Sequence, residues 1–391
     1  MFSVTSLGFL PFMALFACLW YRVPQPSRWK LVLAANAVFC LSIDIGAFFA
    51  VALATAVVWQ AAQHAQPEQP SRRGWLALGL AAALLPLLVL KYSGMLVPGL
   101  RDLYKPFGLA YYSLQLAGYL LDVWHGRTAP TPSYARLWCY AGFFLSLTQG
   151  PFNRYNTLMP QLEAAPKTFE TQRLVSGLQR SAWGYFKKFA IADRAAIVVS
   201  AAFADPASFD RSQLIFATVM YSFQLYADFS GYTDIVLGMG EILGLHLPEN
   251  FRQPFFSASV KELWARWHIS LSQWFRDYVY IPLGGNRKGI ARRDANLLLT
   301  FLVSGLWHGA NWTFLVWGGL HGLCQVAEDH MPAPLRKRKS LPLRIVGVPL
   351  TFAIFVTTLP SFAPAVWAMR RHTLPVSCIT PGMRCLPSTG C

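Results

Sequence analysis

The chain has 391 residues, of which 54% are hydrophobic and only 13% charged, about half the charged share of ordinary soluble domains. Its formal net charge is +16, but the basic residues fall in short groups between apolar stretches: Arg22, Arg28 and Lys30; Arg72 and Arg73; Lys187, Lys188 and Arg194; Arg287, Lys288, Arg292 and Arg293; and Arg336 to Lys339. That distribution fits membrane-flanking loops held by the positive-inside rule and argues against nucleic acid as a partner; membrane lipid is the partner it points to.

Seven cysteines, an odd count with no Cys-x-x-Cys pair, argue against a disulfide framework and a zinc site, so no metal is expected. Cys18, Cys40, Cys139 and Cys324 lie in apolar runs, where cysteine behaves as a small hydrophobe. The first apolar stretch, Leu7 to Trp20, lacks a cleavage motif and reads as a retained helix. From Leu31 to Trp59 a second stretch is interrupted at Asp44-Ile45-Gly46, which predicts two short helices turning at Asp44. That turn keeps the basic loops on both sides of it on one face, the cytoplasmic one, and places the N-terminus outside. Trp75 to Val97 is a clear span in which Lys91 can snorkel.

The stretch from Pro106-Phe107-Gly108 through Gln115 to Asp122 is helical in period and polar enough to be buried among other helices. Leu137 to Leu147 is apolar and stops at Gln149-Gly150-Pro151, where Asn153, Arg154 and Tyr155 meet. An interfacial segment to Ser176 and an apolar one from Trp183 to Ala202 follow. Gln213 to Leu245 holds Asp228 and Asp234 and reads as another interior helix, its polar groups serving as glue between helices. Ile345 to Leu359 is one more span. The expected fold is therefore an all-α polytopic membrane protein, with about nine to eleven transmembrane or half-spanning helices. Residues 1–358 form that domain, and 359–391 are an atypical tail expected to be poorly ordered from about residue 370.

The chemistry concentrates between Trp264 and His321. From Asn296 to Glu328 the chain carries no Asp, Lys, Arg or other Glu, yet His308 and His321 sit inside that run. An ionisable group there is costly and marks a functional site. A neutral imidazole at His308, between Gly305 and Gly309, suits a general base; a hydrogen-bonded packing histidine is the other reading. His268, among Trp264, Trp267, Arg266, Arg276 and Asp277, is a second candidate, or a member of an interfacial aromatic belt. On one ideal helix His308 and His321 stand roughly 140° apart, too far round to share a metal. His321, beside Gly319 and Gly322, also reads as a packing residue.

The block from Arg266-Trp267-His268 through Phe275-Arg276-Asp277-Tyr278-Val279-Tyr280-Ile281-Pro282-Leu283-Gly284-Gly285, followed by Gly305-Leu306-Trp307-His308-Gly309, closely resembles the membrane-bound O-acyltransferase (MBOAT) family. It is most similar to the bacterial branch that holds alginate O-acetylase and the D-alanyl transfer protein of teichoic acids. Pro106-Phe107-Gly108, Gln149 to Tyr155 and Tyr226-Ala227-Asp228-Phe229-Ser230-Gly231-Tyr232 support the match. The resemblance implies a multi-pass enzyme of the bacterial inner membrane that transfers an acyl group to a hydroxyl, around a central tunnel.

By the same resemblance His308 is the catalytic histidine and His268 the second polar site. Trp264, Arg266, Arg276, Asp277, Tyr280, Trp307, Asn311 and His321 are then expected to bind substrate or line the tunnel. No cofactor is expected to be bound. The donor is acetyl-CoA or another acyl thioester on the cytoplasmic side, the acceptor an exported alginate-like polysaccharide, and periplasmic acetylation proteins the partners. The alternatives are transfer of D-alanyl or another acyl group to an envelope polymer, a transporter or flippase, and an inactive remnant, since the tail from Leu359 departs from the family's further spans.

Overall fold

The computed structural model describes residues 3–100, 103–164, 168–333, 335 and 340–359. The expected tail beyond residue 359 lies outside them. Regular secondary structure among the described residues is helical. Contacts divide the chain into two compact units interleaved in sequence. The first takes in the chain up to Lys188, Phe229–Arg252 and His268–Pro282; the second takes Phe189–Asp228, Gln253–Trp267 and the chain from Leu283.

The first unit opens with α1 (Phe9–Arg22), α2 (Arg28–Ile43) and α3 (Ile45–His64). The break at Asp44 falls where the sequence predicts it. Asp44 ends α2 in extended backbone, and its carboxylate caps α3 by accepting from the Gly46 N–H at 3.0 Å. The same carboxylate accepts from the Phe107 N–H at 3.1 Å and from the Tyr104 hydroxyl, tying the Pro106-Phe107-Gly108 turn to the break. Then come α4 (Arg72–Leu96) and α5 (Leu109–Trp124), which starts after Gly108 in the left-handed conformation at φ 77°. Nearly every α5 side chain is buried, polar ones included, as expected for an interior helix.

The Leu137–Leu147 stretch is not one helix. α6 (Tyr134–Ala141) ends at Gly142, and turns follow. Asn36 of α2, wholly buried, causes this from about a hundred residues away. Its amide donates to the Cys139 carbonyl and accepts from the Phe144 N–H, both at 2.9 Å, so it satisfies the peptide groups on either side of the break. The unit continues with α7 (Tyr155–Ala164) and α8 (Thr171–Phe186), which runs into a π-helical turn, Lys187–Ala192.

The second unit contains α9 (Asp193–Ala204), then α10 (Arg211–Ile242) begins in it and continues into the first. Two short helices follow: α11 (Val260–Arg266) in the second unit and α12 (Ile269–Phe275) in the first, the latter running into a π turn at Arg276–Tyr280. The second unit closes with α13 (Ile290–His308), α14 (Trp312–His330) and α15 (Leu341–Thr358).

Three of the described helices are long and apolar enough to cross a membrane: α3, α4 and α15. The others that the sequence suggests as spans are shorter or carry polar groups. α10 holds two aspartates, and α13 and α14 begin or end in charged residues.

Candidate active site

The candidate residues of the second unit gather on the α13–α14 hairpin. The charge-free run from Asn296 to Glu328 is two helices, because Gly309 ends α13 in extended backbone and Asn311 caps α14, accepting from the Thr313 N–H at 3.1 Å. The 140° separation expected for His308 and His321 on one helix therefore does not apply. The histidines face a shared tryptophan from different helices.

The hairpin closes tightly at Gly305 and Gly318. A Cβ on Gly305 would stand 2.2 Å from the Phe314 carbonyl oxygen, and one on Gly318 would stand 2.3 Å from that of Phe301. Backbone fills the space, so neither position can yield cheaply. Gly318→Ala is expected to cost about 1–3 kcal/mol by forcing the helices apart, read as a lower thermal midpoint of the purified protein; a midpoint equal to wild type would show that the hairpin relaxes freely.

Inside this hairpin the rings alternate. The His308 ring meets the Trp317 ring edge-to-face at 5.2 Å, and Trp317 meets His321 at 5.1 Å. His321 in turn meets Trp264 of α11 at 5.3 Å, and Trp264 also packs on Trp317 and Phe301. Such edge contacts each contribute about 0.5–1.5 kcal/mol beyond their buried area and fix ring orientation. Trp307, nine-tenths buried, packs on His308 from the same helix. His308 itself is half-buried and is the last residue of α13. The negative end of the helix dipole there favours the imidazolium that forms when a base takes a proton.

His321 is buried and hydrogen-bonded at both nitrogens. The Trp264 indole N–H donates to Nδ1 at 3.3 Å, and Nε2 stands 3.0 Å from the Thr358 hydroxyl of α15. α11 is fixed to α14 again at Glu328, whose carboxylate accepts from the backbone N–H groups of Val260 and Lys261 at 2.8 and 2.9 Å. Arg266 pairs with Glu262, which also lies 3.5 Å from Arg344 of α15. Asn311 is exposed, with its carboxamide oxygen used as the helix cap.

The remaining candidates belong to the first unit. His268 is buried at 2% exposure, so it is not a belt residue reaching for the interface. It sits between α11 and α12 in the left-handed conformation, φ 45° and ψ 50°, which costs a side-chain-bearing residue on the order of 1 kcal/mol and marks functional positions when the fold enforces it. Phe229 and Phe152 pack against its ring at 4.7 and 6.0 Å. Asp277 accepts from Arg154 at 2.9 Å and from exposed Arg276 at 2.9 Å, and Arg154 lies over the Tyr278 ring at 4.4 Å. Tyr280, at the end of the π turn, is half-buried.

The Gly150-Pro151 break is buried and satisfied by side chains. Ser270 accepts from the Phe152 N–H at 2.9 Å and donates to Asn250 at 2.6 Å. Irregular backbone at membrane depth needs that kind of support. Gln115 is 1% exposed, and among the described residues neither end of its amide has a hydrogen-bond partner.

The sequence reading missed Trp317, Thr358, Asn250 and Ser270. Trp317 sits nine residues beyond His308 across the Gly309-to-Asn311 break, and recognising that Gly and Asn as stop and cap would have put it in the hairpin. Thr358 had no comparable signal.

A family model for membrane-bound O-acyltransferases matches residues 90–362. The chain belongs to the membrane-bound O-acyltransferase family. This MBOAT chain, with three helices apolar enough to cross a bilayer, is a membrane protein and an acyltransferase by family. It is 35% identical to a probable alginate O-acetylase, AlgI, of Azotobacter vinelandii over 364 residues, covering 88% of this chain and 72% of that relative. It is 36% identical to the probable alginate O-acetylase of Pseudomonas fluorescens, covering 88% and 69%. It is also similar to the teichoic acid D-alanyltransferase of Bacillus subtilis, at 27% identity over 77% of this chain and 82% of that relative.

Proposed function

We propose that this MBOAT chain is a multi-pass enzyme of the bacterial inner membrane that transfers an acetyl group from a cytoplasmic thioester, acetyl-CoA or another, to a hydroxyl of an exported polysaccharide, with His308 as general base. What carries the reading is the 35% identity to a probable alginate O-acetylase over 88% of the chain, with His308 ending α13 inside the charge-free run between Asn296 and Glu328.

In this scheme the neutral His308 imidazole takes the proton from the acceptor hydroxyl as its oxygen attacks the thioester carbonyl. The tetrahedral intermediate collapses by breaking the carbon–sulfur bond, and the leaving thiolate takes the proton from the imidazolium. No acyl-enzyme is needed. One well-placed donor to the developing oxyanion contributes about 3 kcal/mol; the Asn311 NH₂, left over after its oxygen caps α14, is the donor proposed within the hairpin. Trp264, Arg266, Trp307 and His321, and Arg276, Asp277 and Tyr280, are proposed to line the route of substrate. His268 is proposed as a second functional histidine, tested on its own by His268→Asn, since asparagine tolerates the same left-handed backbone. Periplasmic proteins that receive or present the polymer are the proposed partners.

D-alanyl transfer is the second reading, favoured by the similarity to the teichoic acid D-alanyltransferase. Mild alkali releases the ester groups of envelope polymers, and their identification in cells with and without this chain separates the two. Acetate that depends on the chain is expected. D-alanine in its place would transfer the same chemistry to the other acyl group, and no change in any ester would overturn the proposal.

A further inference from the structure

We propose that His321 is a positioning residue: locked in one neutral tautomer between Trp264 and Thr358, it holds Trp317 against His308 and so sets the orientation of the base. The inference rests on His308 being that base.

The tautomer follows from what each partner can do. An indole N–H only donates, so Nδ1 of His321 accepts from Trp264 at 3.3 Å. The Thr358 hydroxyl has one proton, and it goes to the Phe355 carbonyl at 2.9 Å, one turn back on α15. Its oxygen is therefore left to accept, and Nε2 of His321 carries the hydrogen at 3.0 Å. Both ring nitrogens are used, and the residue is fully buried. Protonating Nδ1 would break the Trp264 bond and bury a charge whose hydrogen-bond partners are an indole N–H and a hydroxyl. His321 thus cannot trade protons with a substrate while this arrangement stands, which removes it from the candidates for acid or base.

What His321 does is mechanical. It meets Trp317 at 5.1 Å, and the Trp317 ring meets His308 at 5.2 Å and an interplanar angle of 83°. Trp264 closes the set by touching both His321 and Trp317. The orientation of a half-buried histidine at a helix end is thereby tied, through His321 and Trp317, to a threonine on α15. Phe355, the acceptor of the Thr358 proton, packs on Trp267 and Phe255, so α15 is seated in the same unit by apolar contacts that a change at Thr358 leaves intact.

The test compares Thr358→Val, which keeps the shape and removes the acceptor, with Thr358→Ser, which keeps the hydroxyl. The full chain in lipid nanodiscs is assayed for kcat and KM toward the thioester. In parallel, carbethoxylation of His308 by diethyl pyrocarbonate is followed by peptide mass, a readout that does not depend on turnover. Misplacing a catalytic group by a fraction of an ångström costs about tenfold in kcat. Thr358→Val is expected to show that loss with KM and thermal midpoint unchanged and an altered rate of His308 labelling, and Thr358→Ser to restore both. If the valine variant does not fold, Trp264→Phe, which removes the N–H and keeps an aromatic ring, is expected to show the same loss in kcat and the same altered rate of His308 labelling.

Thr358→Val matching wild type in kcat and in labelling, or Thr358→Ser failing as badly as the valine, would overturn the proposal. Should His308→Ala retain transfer while Thr358→Val still changes His308 labelling, the base assignment falls and the positioning contact stands.

Discussion

His308→Ala is expected to lower kcat for acyl transfer by about 10²–10⁴-fold, the usual contribution of a positioned general base, with the amount of folded protein unchanged. Alanine removes the one imidazole that ends α13, where the helix dipole favours the protonated ring. His308→Gln is expected to lose as much, because an amide can hydrogen-bond the acceptor hydroxyl but cannot take its proton. KM for the thioester should change little, since the lost interaction is made in the transition state. Initial rates over a range of donor concentration measure all three. A large rise in KM at constant kcat would make His308 a binding residue instead.

Asp234→Ala is expected to produce the largest loss of stability. Asp234 lies within α10 and accepts from Arg180 Nε of α8 at 3.1 Å and from the Lys187 ammonium. Lys187 is 7% exposed and also donates to Ser230 at 3.0 Å. Glycines at 177, 184, 231 and 238 bring the two backbones close enough that a Cβ on any of them would meet a carbonyl oxygen of the other helix within 2.4–2.8 Å. Alanine at 234 therefore takes away the carboxylate to which the buried Lys187 ammonium donates. Breaking one side of a buried pair costs about 3–5 kcal/mol. Arg180 keeps Glu249 at 2.7 Å, so the lysine bears most of the loss. Thermal unfolding of the detergent-solubilised protein measures the cost, and Lys187→Met added to Asp234→Asn is expected to recover most of it. An unshifted midpoint for Asp234→Ala would mean that water reaches the pair.

How far the sequence revealed this structure depends on the range of the forces at each position. Asp44 was legible as a break because an acidic residue followed by Ile-Gly in an apolar run offers a local cap, and the carboxylate does cap α3. His308 was legible because ionisable groups are conspicuous where charge is absent. The end of α6 was not, since Asn36 of a distant helix determines it. Nor was the hairpin: the apolar run masked the stop at Gly309 and the cap at Asn311. Local propensity has no term for the left-handed backbone at His268, which tertiary packing imposes. The role assigned to Thr358 is equally invisible, because one hydroxyl near the end of an apolar helix carries no periodic signal.

The most direct measurement is transfer of isotopically labelled acetyl from a thioester to polysaccharide by the purified chain in lipid nanodiscs, with His308→Ala prepared to the same folded level. The wild-type chain is expected to esterify the polymer, with label released by mild alkali as acetate, and the variant to leave it unlabelled. Equal labelling by the two proteins would contradict the account.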